Sequence, residues 1–146
     1  MTDGLALAGY SGRPLPEKLG LKLGMVVAFV ALPEGLSALA ETPGLAAVDR
    51  FPAWGAVRRK ALYDVVHAFT ASRAELEADL RRLQDAIRRD GMIWVSWPKK
   101  AAKVETDVTE DVVRNAALAL DLVDVKVAAV DAVWSGLKLV IRKDRR

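Results

Sequence analysis

The chain has 146 residues, 52% of them hydrophobic and 28% charged, a balance that belongs to a folded globular domain and excludes a disordered chain. It contains no cysteine, which removes disulfides, thiolate nucleophiles and cysteine-based metal centres. The formal net charge of +3 is spread over Arg58-Arg59-Lys60, Arg81-Arg82 with Arg88-Arg89, Lys99-Lys100 and the tail Arg142-Lys143-Asp144-Arg145-Arg146. Acidic residues are interleaved with most of these, so solvated faces are the first reading and a polyanion surface the second.

One domain over residues 1–146 is the expectation, since a chain of this size buries roughly two thirds of its unfolded surface. The start, Met1-Thr2-Asp3-Gly4, lacks the basic cluster and apolar run of a secretory signal, and no apolar stretch approaches the ~18 residues of a membrane span. A cytoplasmic protein is expected. Residues 1–20 read as an N-terminal arm, irregular around Gly4, Gly9, Tyr10, Ser11 and Gly12. One helical turn follows over Pro14 to Leu19, with Gly20 as its stop.

Met25 to Val30 is a continuous apolar run, the pattern of a strand buried on both faces of a parallel sheet. Ala31 to Gly35 then reads as a loop and Leu36 to Glu41 as a short helix. Ala46 to Phe51 is a candidate edge strand broken by Pro52 and Gly55. Leu62 to Phe69 is a second interior strand. Ser72 with Glu75 forms a capping box, and Leu76, Leu80, Leu83 and Ile87 recur at helical spacing, so a helix is predicted over 73–89, closed by Asp90-Gly91.

A strand follows at 92–97, then a polar connection over 98–108. Thr109 is an N-cap, with Glu110 and Asp111 favourable to the helix dipole and Val113, Ala116, Ala117 and Leu120 as the inner stripe. Leu122 to Val130 and Gly136 to Lys143 read as strands joined by a turn too short for a crossover, hence antiparallel. This alternation predicts a three-layer, Rossmann-like α/β fold with a mostly parallel sheet ending in an antiparallel C-terminal hairpin. Right-handed crossovers set the strands at 25, 62 and 92 side by side. A crevice at their C-terminal rim is then lined by Leu32 to Gly35, Thr70 to Arg73 and Ser96 to Lys100.

The order of elements resembles a shortened class I S-adenosylmethionine-dependent methyltransferase over residues 24–143. In that family a glycine-rich loop after the first strand lets backbone approach the methionine part of the cofactor, and an acidic residue at the end of the second strand holds the ribose hydroxyls. The resemblance implies S-adenosylmethionine as cofactor, with Leu32, Pro33, Glu34 and Gly35 as the loop and Asp49 as the acidic residue. This loop has a proline and one glycine, and no Asn/Asp-Pro-Pro-aromatic motif follows Phe69. The chain is also similar, over nearly its whole length, to a family of short bacterial proteins of unknown function. That likeness rests on Gly9-Tyr10-Ser11-Gly12 with Lys18-Leu19-Gly20, on Trp94 to Lys100, on Thr109 to Arg114 and on Trp134 to Arg142. It implies no activity.

Catalytic groups are not legible. His67 is the only histidine and sits in an apolar strand, where a structural role outweighs that of a base. No His/Asp/Glu spacing suggests a metal, and no Gly-x-Ser-x-Gly elbow is present. Ser72, Arg73, Ser96, Lys99 and Lys100 are the candidates for holding a phosphate or carboxylate beside the N-terminus of the helix at 73. Trp97 and Trp134 serve as core packing or as flat walls for a ring. The expected function is a methyltransferase-like domain without catalysis that binds a small anionic ligand or a protein partner at the rim. The alternatives are an active methyltransferase with an atypical cofactor loop, and a nucleic-acid-binding module using Arg58-Arg59-Lys60 and the basic tail.

Overall fold

The computed structural model describes residues 13–146. The expected irregular stretch around Gly4, Gly9 and Tyr10 lies outside them. Helix α1 (Leu15–Lys18) is the single turn anticipated after Pro14, and it ends where Gly20 takes a φ of 80°. Strand β1 (Val26–Val30) leads into a 3-10 helix over Glu34–Glu41 and the edge strand β2 (Ala47–Phe51). The chain continues through β3 (Tyr63–Phe69), α2 (Arg73–Ala86), β4 (Ile87–Pro98), α3 (Glu110–Leu118) and the hairpin β5 (Leu122–Ala129) and β6 (Trp134–Ile141).

The six strands lie in the order β2-β1-β3-β4-β6-β5. Neighbouring strands from β2 to β4 are parallel, and β6 alone runs against both its neighbours. The anticipated Rossmann-like α/β fold, with its C-terminal antiparallel hairpin, is therefore the observed one.

Both faces of the sheet are covered, which is why its inner strands read as unbroken apolar runs. One face carries Ala28, Val30, Val66, Ala68, Ile93 and Val95 against Leu76, Leu80 and Leu83 of α2 and Val113 and Ala117 of α3. The other carries Val27, Phe29, Val65, Phe69 and Trp94 against Leu15, Leu19, Leu36 and Leu39. Trp54, in a short turn after β2, is fully buried on the α2 face and donates its indole N–H to the Phe69 carbonyl at 2.9 Å.

The last strand covers Trp134–Ile141 where Gly136 to Lys143 is expected, and two further boundaries depart from the sequence reading. The helix predicted over 73–89 ends at Ala86, because Ile87 is extended (φ −88°, ψ 155°) and pairs with Tyr63. Between the Tyr63↔Ile87 and Val65↔Met92 partners β3 advances two residues while β4 advances five, so Arg88 to Asp90 bulge out of the sheet. Gly91 is thus a strand residue rather than a helix stop. A Cβ there would stand 3.0 Å from the Tyr63 carbonyl oxygen and 3.1 Å from those of Asp64 and Arg88. The second departure concerns the helix expected at Leu36, which begins at Glu34. Glu34 and Gly35, assigned to a cofactor loop, form its first turn and leave only Ala31 to Pro33 as a loop.

Candidate functional site

The C-terminal rim of β1 to β4 is not one crevice, because residues 99–109 fold over it. Between the ends of β1 and β2 lies an open cleft of about 430 Å³ lined by Phe29, Ala31, Leu32, Arg50, Phe51 and Pro52. At the end of β3 a cleft of about 420 Å³ is bounded by Ala71, Ser72, Glu105, Thr106 and Asp107. Beyond β4 an apolar-walled cleft of about 470 Å³ runs from Trp97 and Pro98 past Lys100 to Thr109 and Glu110.

The first cleft has an unusual floor. Ala31 follows β1 directly with a φ of 56°, a left-handed conformation that costs an L-residue roughly 1–2 kcal/mol. Its N–H donates to the Phe51 carbonyl at 2.8 Å, tying the β1 loop to the end of β2. Strained backbone of this kind concentrates at ligand-binding loops. Asp49, the residue expected to face a ribose, sits mid-strand opposite Ala28, and its carboxylate accepts the Tyr63 hydroxyl. Burial and then that carboxylate hold the Tyr63 phenol well above its ordinary range, so the hydroxyl stays a neutral donor. Arg50, one residue on and exposed, is the charged group lining the cleft.

The five residues expected to hold an anion do not converge. Ser96 is fully buried, and its hydroxyl lies 2.7 Å from His67 Nε2 in the core instead of on the rim. The side alternation of β4 turns it inward between Trp94 and Pro98 positions that pair with β6. Ser72 caps α2 by accepting the Glu75 N–H at 3.1 Å, but Thr70 takes over the reciprocal half of the expected capping box: its hydroxyl accepts the Ser72 N–H at 3.0 Å and donates to Glu75 Oε1 at 2.6 Å. The N-terminus of α2 already holds an anion of the chain's own: the Arg73 N–H donates to Asp107 Oδ1 at 2.7 Å, and Thr106 ties the same loop to the Ala71 carbonyl. Arg73 turns its guanidinium to Glu77 at 2.8 Å. Lys100 is exposed beside the third cleft, whereas the backbone N–H of Lys99 binds the Val133 carbonyl at 2.7 Å in the β5–β6 turn. The occupation of the Ser72–Arg73 part of the predicted site is not readable from sequence spacing, because the counter-charge comes from a distant loop of the chain, residues 105–107.

His67 behaves as a core residue. It stacks on Phe69 with ring centroids 4.3 Å apart, and burial pushes its pKa down to about 3. Its Nδ1 has no hydrogen-bond partner. Trp94 donates to the Leu19 carbonyl at 2.9 Å, and Trp134 meets Phe69 edge to face, so both are packing residues. The basic runs are partly neutralised: Arg142 and Arg145 lie near Asp121 and Asp144, and Arg59 stands 6.0 Å above the Phe51 ring. Among the described residues no helix is long and apolar enough to cross a membrane.

No family model and no curated protein matches the chain. Solved structures do: a SAM-dependent methyltransferase from Aquifex aeolicus aligns with a TM-score of 0.65 at 17% identity, over 96% of this chain and 94% of its own. The chain has a methyltransferase-like fold. A TehB-like SAM-dependent methyltransferase from Corynebacterium glutamicum aligns at 0.62 and 9% identity, over 88% and 85% of the two chains. The magnesium protoporphyrin IX methyltransferase of Synechocystis, solved with bound SAM, aligns at 0.57 and 12% identity over 88% and 74%. Within this methyltransferase-like fold the residues at the β1–β2 cleft do not fit the cofactor role implied by the resemblance. Asp49, the carboxylate expected to hold the ribose, is engaged by Tyr63, and the Arg50 guanidinium lines the cleft.

Proposed function

We propose that this methyltransferase-like domain binds a small anionic ligand, or an acidic group of a protein partner, at its C-terminal rim and does not transfer methyl groups. The observation that carries this reading is the exchange of charge at the β1–β2 cleft: Asp49 is bonded to Tyr63 and Arg50 lines the opening. A cationic cleft favours carboxylate or phosphate over ribose hydroxyls, whose donated protons a guanidinium cannot accept. Calorimetric titration with S-adenosylmethionine should give no saturable heat up to millimolar ligand, and micromolar binding would overturn the reading. Malonate, a small dianion, should raise the melting temperature of the wild type and lose most of that effect in Arg50→Ala. An undiminished shift in the variant removes the cleft from the proposal.

The second reading, an active methyltransferase with an atypical loop, is favoured by one observation. Ala31 holds the left-handed conformation by which a backbone approaches a ligand closely, normally supplied by glycine. Leu32 and Pro33 would then line the cofactor, with Asp49 released from Tyr63. Incorporation of a radiolabelled methyl group into an acceptor, abolished by Asp49→Ala, would establish it.

A further inference from the structure

On the face of the sheet opposite α2 and α3, the flank built by β5 and β6 gathers lysines from separate stretches of the chain. Lys126 of β5 and Lys138 of β6 are direct cross-strand partners, and Lys138 stands opposite Trp94 of β4, whose ring belongs to the core of that face. Two like charges at directly opposed positions repel at the shortest range a sheet offers. Lys18, on the last turn of α1, reaches over the sheet edge and donates its ammonium to the Ala129 carbonyl at 2.8 Å. That carbonyl lies three residues along β5 from Lys126, about 10 Å.

Electrostatics complete the group. Lys18 is held below its ordinary range by burial and then by Lys99, Arg13 and Lys126, and Lys138 by burial and then by Lys126 and Lys22. Asp124 and Asp131, the carboxylates on either side of Lys126 in the sequence, are turned elsewhere. Asp124 accepts Arg114 at 3.0 Å on the α3 side, and Asp131 Oδ1 accepts the N–H groups of Val133 and Trp134 within its own turn. Lys22, Lys126 and Lys138 form no ion pair among the described residues.

We propose that Lys18, Lys22, Lys99, Lys126 and Lys138 form a binding site for a compact polyphosphate group of the size of a di- or triphosphate. Ammonium groups are point charges that bind phosphate oxygens without the planar geometry a guanidinium imposes. A multiply charged anion gains twice here, by attraction and by relieving the repulsion between the lysines. A long nucleic-acid backbone fits less well, because it wants a track of cations. This cluster stops at the β5 edge, where the neighbouring exposed residues Val125 and Val127 are apolar. The site is distinct from the cleft at Arg50, so its loss leaves the rim reading untouched.

The test uses the full chain and inorganic triphosphate at low ionic strength. Saturable binding with unit stoichiometry is expected, weakening as salt rises, and falling at least tenfold in the double variant Lys126→Gln/Lys138→Gln but not in Lys143→Gln. Triphosphate should also protect Lys22, Lys126 and Lys138 from amine acetylation read by mass spectrometry, a measurement on the wild type that does not depend on the variants folding. No saturable binding, binding unchanged in the double variant, or protection of tail lysines instead would overturn the proposal. So would single-stranded RNA binding more than tenfold tighter than triphosphate with the same sensitivity to the double variant, which would assign the patch to nucleic acid.

Discussion

At Ala31, a methyl group sits where φ is positive and a Cβ is strained, so Ala31→Gly removes a conformational cost of roughly 1–2 kcal/mol while adding about 0.5–1 kcal/mol of unfolded-state entropy. The variant should be more stable by about 0.5–1 kcal/mol in urea unfolding, and a loss of stability would mean that the methyl packs usefully against the cleft. His67 gives a second residue-scale test. Its folded pKa, pushed down to about 3, lies below the ordinary 6.5, so the unfolded chain takes up a proton that the folded one refuses. Stability is complete above pH 6.5 and is lost as the pH falls from there toward 3, by about 2 kcal/mol between pH 7 and pH 5. Because the sequence has one histidine, this loss has a single source above the carboxylate range. Replacing both partners, His67→Phe with Ser96→Ala, should abolish the slope; a slope that persists would place the titration elsewhere. The apolar run around His67 already marked it as structural, but Ser96 was assigned to the rim. The β3–β4 register sets Ser96 opposite Phe69, diagonal to His67 on the same face, and that places its hydroxyl 2.7 Å from the imidazole.

Element boundaries were legible wherever the signal was a local cap, as the Ser72 and Thr109 hydroxyls show by accepting the N–H groups of Glu75 and Val112. They were misread where tertiary pairing overrode periodicity. Ile87 continues the helical spacing of Leu76, Leu80 and Leu83, yet its backbone is taken by Tyr63, and the bulge that follows cannot be inferred from the string Arg-Arg-Asp-Gly. Gly91→Ala tests that geometry. With carbonyl oxygens 3.0–3.1 Å from the new Cβ, strand β4 must shift, and the cost should be about 1–3 kcal/mol, the range of an overpacked site. An unperturbed melting temperature would mean that the bulge yields freely. The loop over the rim offers a complementary test. Asp107 serves the N-terminus of α2 from outside the helix, so Asp107→Ala should cost about 1 kcal/mol, comparable to losing an N-cap. It should also increase hydrogen exchange across residues 99–109 without affecting β1 or β3. Exchange spreading into the sheet would show that the loop supports the whole rim.

Across the whole molecule, the two faces of the sheet carry opposite electrostatic arrangements. On the helical face, charges are matched: Arg114 binds Glu110, Asp111 and Asp124, and Arg82 binds Asp79 at 3.0 Å. Such exposed pairs are each worth about 0–1 kcal/mol and are weakened by salt. On the other face, at the β5–β6 flank, the lysines repel, and salt relieves rather than weakens them. The net charge of +3 conceals this segregation, since composition counts charges but strand register decides which of them meet. Lys126→Glu turns the Lys126↔Lys138 repulsion into an attraction and should raise stability by about 0.5–1 kcal/mol at low ionic strength. The gain should shrink in about 0.5 M NaCl, where the screening length falls below the spacing of neighbouring ammonium groups. The same change in Lys143, on the tail beyond β6, should leave stability nearly unaltered. A gain at Lys126 that is indifferent to salt would trace it to strand propensity instead of charge, and a loss would show that Lys138 already satisfies its charge by other means.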